Sequence, residues 1–355
     1  MSGGEQLAQQ APDVDEQRVP SRPPRLAVVI PCWNYEDYVG RAIASVLDQR
    51  RDDCELVVVD DGSTDSSWDA IVATGVKAFR IPNGGARAAC LYGLERTTAP
   101  FVLFLDADDE LKPGALDIVL AHLDPGVAKL QFALTRIDRH GNIISGAIPS
   151  LAAFRQREEL VERVLLSGAY TTPPTSGNIF RRDVCELLRE SEYDKFVDGV
   201  TVFAAPFMGD VVSLPDQLGL YRVHDRNDSG LGRELDPALL QRDLQRFSVR
   251  MDHLRAIAAR YGLGDRLSKT EDTRIHLERS FYLAIASGQR PSFLTFRRLL
   301  VRHWREQPLS RASLAMSAFF MLAMLLPVRR AQQGLAYRLG AAERSPVGLL
   351  KAVMR

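Results

Sequence analysis

The chain has 355 residues, with 45 Lys and Arg balancing 45 Asp and Glu to a formal net charge of zero at pH 7. An apolar fraction of 46% with 8% aromatics describes a globular protein with a sizeable core and excludes a chain that is disordered along its length. The length exceeds one typical domain, so a principal domain with an appended region is expected.

Residues 1–24 are polar, rich in Gln, Pro and Asp, and lack the apolar stretch of a secretory signal; they predict a flexible tail. Leu26 to Ile30 predicts a first strand, and Val39, Ala42, Ile43, Val46 and Leu47 recur at helical spacing in a helix from Tyr38 to Asp48. Glu55 to Val59 is a second strand, followed by a short helix over Ser66 to Ala73 with Asp65 at its start. Val76 to Ile81 is a third strand, and Asn83-Gly84-Gly85 turns the chain into a helix that runs through Arg96. Phe101 to Leu105 is a fourth strand, after which Lys112-Pro113 opens a helix toward Leu123. Lys129 to Ile137 and Asn142 to Ile148 predict a hairpin across Arg139-His140-Gly141, and long helices are expected over Pro237 to Tyr261 and Glu271 to Ser287. Strands alternating with helix-length segments describe an α/β fold with one mostly parallel, Rossmann-like sheet flanked by helices.

The strand ends carry the chemistry. Phe101-Val102-Leu103-Phe104-Leu105 ends in Asp106-Ala107-Asp108-Asp109, Glu55 to Val59 ends in Asp60-Asp61-Gly62-Ser63-Thr64-Asp65, and Leu26 to Ile30 ends in Pro31-Cys32-Trp33-Asn34. Open α/β sheets bind ligands beyond the carboxyl ends of their strands. If the extended conformation persists past Leu105, Asp106 and Asp108 project to one side, where two carboxylates repel unless a cation joins them. Hard oxygen ligands on an open edge suit Mg²⁺ or Mn²⁺, which leave other positions to water and phosphates.

The charge is unevenly spread. From Arg290 to Arg355 twelve Arg or Lys face two acids, Glu306 and Glu343. Within this basic end, Ala312 to Leu326 is an uncharged run, short for a spanning helix. A helix lying in an anionic membrane surface is the first expectation; a core or protein-contact helix and true insertion are the alternatives. No stacking-aromatic pattern accompanies the basic residues, which argues against nucleic acid as a partner. Cys32, Cys54, Cys90 and Cys185 form no Cys-x-x-Cys or zinc spacing and are expected to be reduced thiols of a cytoplasmic protein.

The succession Val29-Ile30-Pro31-x-x-Asn34, Val58 to Asp65, Asn83-Gly84-Gly85 and Phe104 to Asp109 resembles the nucleotide-sugar-dependent glycosyltransferases of family two, over about residues 25–230. The resemblance implies an A-type glycosyltransferase fold with a catalytic domain at 25–230; beyond it, helical pattern and charge predict a helical extension at 231–289 and a basic, apolar helical region at 290–355. The resemblance further implies a metal-dependent, inverting transfer from a nucleotide-diphosphate sugar to a hydroxyl of a cell-surface glycan precursor, and the membrane-leaning basic end motivates a lipid-linked one. Asp106, Asp108 and His224, in Tyr221-Arg222-Val223-His224, would form the metal site. Pro31, Asn34, Asp60, Asp61, Asn83, Gly84, Arg87, Asp106 and Arg222 would bind the donor, with Arg226 and Asn227 in a covering loop. Asp198 would act as general base, with Asp194 in reserve; the usual Glu-Asp pair is replaced by Val197-Asp198. A further departure is Cys90-Leu91 ahead of Gly93, where relatives place polar donor contacts. The rival readings are a non-catalytic nucleotide or glycan binder of the same fold and a sugar-nucleotide pyrophosphorylase, whose Gly-rich phosphate-binding start is missing after the first strand.

Overall fold

The computed structural model describes residues 9–10, 23–49, 51–191, 193, 199–224, 235–307, 309–340, 348 and 351. They fall into two compact units, one of Met1–Val161 with Tyr170–Asp225, the other of Glu162–Ala169 with Arg226–Arg355.

The first unit is built on one mixed sheet. In chain order its elements are β1 (Gln9–Gln10), β2 (Leu26–Cys32), α1 (Val39–Leu47), β3 (Cys54–Asp60), α2 (Ser67–Val72), β4 (Ala78–Arg80), α3 (Ala86–Glu95), β5 (Phe101–Phe104), β6 (Glu110–Leu111) and α4 (Ala115–Ala121). Then follow β7 (Val127–Asp138), β8 (Ile143–Ile148), β9 (Phe154–Gln156), α5 (Glu158–Ser167), which runs on into the second unit, β10 (Asn178–Arg181), α6 (Arg182–Cys185), α7 (Val200–Met208) and β11 (Asp210–Val223). The strand order is β1-β4-β3-β2-β5-β10-β7-β11-β6, with β8 on β7 and β9 on β11. β4, β3, β2 and β5 run parallel, β10 inserts antiparallel between β5 and β7, and β11 is parallel to β7. Two reversals cancel, so β2, β3, β5 and β11 all end at the same edge. The chain steps outward from β2 to β3 and β4, then returns to the other side of β2 as β5, which creates a topological switch point.

Two-sided burial explains the unbroken apolar runs. Leu26 to Ile30 are wholly enclosed. Leu26, Val28, Ile30 and Val58 join α1 and α2 in one core layer, whereas Val57 and Val59 pack with Phe79 and Ala89 of α3 in another. Side chains alternate across a strand, so each run supplies two cores. On the α3 side Val29 lies against Gly93, where a Cβ would stand 2.4 Å from the Val29 Cγ1. The β7–β8 hairpin pairs Leu134 with Ile148 and Ile137 with Ile143, as the spacing predicts. β4 is shorter than the expected strand and covers only Ala78–Arg80.

The second unit is helical: α8 (Pro237–Arg260), α9 (Arg274–Ala286), α10 (Phe293–Glu306), α11 (Arg311–Leu325) and α12 (Val328–Gly340). α8 to α11 each begin with a side chain that accepts a backbone N–H, from Asp236, Thr273, Ser292 and Ser310. The expected helix from Glu271 starts instead at Arg274, because Thr273 caps it and Glu271 lies in a preceding single turn. Leu277, Phe281, Tyr282, Ile285, Leu299, Phe319, Phe320 and Leu335 form the core of this unit. The uncharged run is α11, which turns Ser313, Ser317, Phe320 and Ala323 inward and leaves Leu314, Met321 and Leu325 exposed. Among the described residues no helix is long and apolar enough to cross a membrane.

Candidate active site

The four strand ends converge on one edge of the sheet. Beyond β2, Asn34 takes a left-handed conformation (φ 59°). Its N–H donates to Ser63 Oγ at 3.0 Å, and its Oδ1 accepts the Thr64 N–H at 2.8 Å. The loop after β2 is thereby fastened to the loop after β3, with Trp33 exposed beside it.

Asp60 and Asp61 are both buried, and burial raises both carboxyls above the usual range. Asp60 pairs with Arg80 Nε at 3.0 Å. Asp61 accepts the Gly84 N–H on Oδ1 at 2.8 Å and the Gly85 N–H on Oδ2 at 2.7 Å. The expected nucleotide-reading pair is thus engaged internally: Asp60 anchors its own loop, and Asp61 holds the exposed Asn83-Gly84 segment at the start of α3. Gly62 (φ +69°) permits this approach, since a Cβ there would meet the Asn83 nitrogen at 2.9 Å. Pro31 lies within β2 and is half-buried. Arg87 donates to the Leu188 carbonyl at 3.0 Å, so its guanidinium is used to tie α3 to the turn that contains Leu188.

β5 stops at Phe104, and a turn closes when the Asp109 N–H donates to the Asp106 carbonyl at 3.0 Å. The extended arrangement expected of Asp106 and Asp108 is therefore replaced by a turn that gives three carboxylates three environments. Asp106 is half-buried, and its N–H donates to Ser176 Oγ at 3.1 Å. Asp108 Oδ2 lies 2.9 Å from His224 Nε2, each side chain 7% exposed. Asp109 is enclosed and accepts the Arg222 N–H on Oδ1 at 2.9 Å; burial, reinforced by the charges of Asp108 and Asp106, drives its carboxyl well above the usual range.

Arg222 differs from the expectation of a diphosphate contact, because its side chain is wholly buried. Nε donates to the Asp108 carbonyl at 2.9 Å, one terminal nitrogen bonds to Glu110, and the other donates to the Asp138 carbonyl at 3.2 Å. It clamps the acidic turn to the tip of the β7–β8 hairpin. Tyr38 joins this cluster: its ring stacks on His224 with centroids 5.3 Å apart and lies 5.1 Å from the Arg222 guanidinium. Tyr35 meets the His224 ring edge-on at 5.9 Å. Tyr35, Tyr38, Ser176 and Glu110 are site residues that sequence reasoning missed. Only Tyr35 and Tyr38 carry a signal in the chain, by following Asn34 closely.

Asp108 and His224 bring a carboxylate oxygen and an imidazole nitrogen to one point. That donor pair fits Mn²⁺ or Mg²⁺ bound by one or two protein ligands with phosphate oxygens and water in the other positions. Among the described residues no three His, Cys, Asp or Glu side chains cluster as a closed cation cage. Asp194 and Asp198, and Arg226 and Asn227, lie outside the described residues. The four cysteines are free, and burial pushes the Cys32 thiol up to about 12, so it is not a nucleophile at neutral pH. A cavity of about 440 Å³ between α1 and residues 110–117 is lined by Glu110 but by none of Asp60, Asp61, Asp106 or Asp108.

The model of glycosyl transferase family 2 matches residues 27–186, the stretch that supplies three of these four strand ends. An uncharacterized glycosyltransferase of Nostoc sp. is 35% identical over 215 residues, 58% of this chain and 66% of that protein. Residues 27–186 thus match glycosyltransferase family 2. The chain is also 31% identical over 131 residues to the GalNAc(5)-diNAcBac-PP-undecaprenol beta-1,3-glucosyltransferase of Campylobacter jejuni, covering 34% of the chain and 41% of that relative. It thus spans just under two thirds of the first relative and about two fifths of the second. The crystal structure of residues 1–349 of S. aureus TarS superposes with a TM-score of 0.50 at 16% identity, covering 93% of this chain and 88% of that one. The chain has the A-type glycosyltransferase fold, with a helical C-terminal region.

Proposed function

We propose that the protein is a glycosyltransferase that moves a sugar from a nucleotide-diphosphate donor to a hydroxyl of a cell-surface glycan or lipid-linked precursor. The observation that carries this reading is the Asp108–His224 pair, 2.9 Å apart at the edge where four strands end. Asp108 and His224 would hold a divalent cation, Mn²⁺ or Mg²⁺, which when bound neutralises charge on the departing diphosphate. Arg222, Tyr38 and Tyr35 keep the two side chains aimed at one point, and Asp106 borders the same turn. Asn34, exposed Trp33 and the loop held by Asp61 would receive the nucleoside, the indole offering a stacking face. Each Asp61 oxygen retains a lone pair for a donor N–H. Arg222 would serve the diphosphate indirectly, through the turn it clamps. Asp198 would take the proton of the acceptor hydroxyl in a single inverting displacement. The undecaprenol-linked acceptor in the name of the Campylobacter relative favours a lipid-linked acceptor here, reached from the cytoplasmic face of a membrane.

The test is acceptor-dependent release of nucleoside diphosphate from a panel of sugar nucleotides with Mn²⁺. Asp108→Ala is expected to lower kcat/KM by about 10²–10³, and Asp198→Asn to lower kcat by about 10²–10⁴ with donor KM unchanged. Full turnover in both variants would overturn these roles.

A further inference from the structure

The second unit carries a surface that the transfer chemistry does not use. On α10 the solvent-facing row is Leu294, Arg297, Val301, Trp304 and Arg305, with Phe293 beside it 70% exposed. On α11 it is Leu314, Ala318, Met321 and Leu325, the last 81% exposed. These positions follow the i, i+3/i+4, i+7, i+11 pattern of one helix face, and the opposite faces already fill the core with Leu299, Phe320 and Ala323. The apolar rows are therefore additional to the core, not part of it. The two helices are adjacent: His303 Nε2 of α10 lies 3.0 Å from the Ser313 carbonyl of α11.

The exposed charge of residues 290–340 has one sign, and on the neighbouring turn Asp272 is paired with Arg298 of α10. Between residues 290 and 340 there are nine arginines and a single acid, Glu306. The Glu306 side chain is only 5% exposed and turns to Arg274 Nε at 3.5 Å. Arg290, Arg297, Arg305, Arg311, Arg329 and Arg330 are exposed, with no exposed acid among the described residues of this segment. A protein partner would have to bring matching acids and a shaped counter-surface. An anionic bilayer supplies negative charge everywhere and an apolar layer that adapts to any row of side chains. α11, with 15 residues, is about 22 Å long, too short to span a hydrocarbon core of about 30 Å.

We propose that the exposed rows of α10 and α11 dock on an anionic lipid surface. Phe293, Leu294, Trp304, Leu314, Met321 and Leu325 enter the boundary between headgroups and acyl chains, and the exposed arginines pair with lipid phosphates. This deepens the membrane contact implied by a lipid-linked acceptor and does not depend on which sugar is transferred.

The experiment is flotation of the full-length protein with vesicles of phosphatidylcholine alone and of phosphatidylcholine mixed with phosphatidylglycerol, with nucleotide binding measured on the same samples. The wild type is expected to float with the anionic vesicles and to be released by salt. Leu314→Glu/Leu325→Glu and Arg297→Glu/Arg305→Glu, all at exposed positions, are each expected to lower vesicle affinity by about tenfold or more while binding nucleotide as the wild type does. Absence of flotation, or flotation unaltered by both double variants, would overturn the proposal. A lipid-independent dimer lost in Leu314→Glu/Leu325→Glu would overturn it in favour of a second copy on this face. Flotation without nucleotide binding would sustain it and count against the donor site instead.

Discussion

Lys129 shows how much a single buried side chain decides outside the reacting edge. It is wholly enclosed in β7, with Nζ 2.8 Å from Gln131 Oε1, 2.9 Å from Thr172 Oγ1 and 3.3 Å from the Tyr170 hydroxyl. Thr172 in turn donates to Asn178, and the Asn178 amide donates to the carbonyls of Pro173 and Pro174, which lead into the turn bearing Ser176. A hydrogen-bond chain thus links the lysine to the segment that touches Asp106. Burial pulls the Lys129 ammonium well below its ordinary value, so between that lowered value and about 10.4 the unfolded chain binds more protons than the folded one. Stability contributed by this position therefore rises with pH through that window and falls as pH drops. Urea unfolding of wild type and Lys129→Met at several pH values from 7 to 9 is expected to show the variant gaining on the wild type as pH falls, by up to about 1.4 kcal/mol per pH unit. Parallel pH profiles would show that the lysine stays charged in the fold. Nothing local in the sequence marks this network, because its members are brought together by the pairing of β10 with β7.

At the scale of elements, β2, β3 and β5 were legible because a strand buried on both faces must be apolar at every position, and the carboxylates that follow mark where it leaves the core. The turn of Asp106 to Asp109 was not legible: whether the chain stays extended past Leu105 depends on Arg222 and Ser176, which arrive from distant strands and loops. β10 escaped for a similar reason, since four residues carry no period and its place between β5 and β7 is set by non-local pairing. α11 is the informative case. Its composition left a core helix and an interfacial helix as alternatives, and the structure gives it one enclosed face and one exposed apolar face. Phe320→Ala, at the enclosed face, is expected to lower unfolding free energy by about 3–5 kcal/mol. Leu325→Ala, at the exposed face, is expected to change it by less than about 0.5 kcal/mol. Comparable losses in denaturant unfolding would mean that both faces are packed.

For the whole molecule, the sheet gathers Asn34, Asp61, Asp108 and His224 from separate stretches of chain to one edge, which is why four short motifs in order were enough to suggest the family. The individual duties within the edge were less legible. A sequence shows which carboxylates follow a strand, but which of them faces solvent depends on how loops close over one another. Asp60 and Asp109 are enclosed, Asp61 spans two glycine N–H groups, and Asp108 meets the histidine. This histidine and carboxylate are proposed to hold a cation that receives the donor diphosphate. Calorimetric titration with uridine, guanosine and thymidine diphosphates, each with and without Mn²⁺, on wild type and Asp108→Ala tests that proposal most directly. One nucleotide is expected to bind in a Mn²⁺-dependent manner, and Asp108→Ala is expected to abolish the dependence. Binding of equal strength without Mn²⁺, or retained Mn²⁺ dependence in Asp108→Ala, would contradict it.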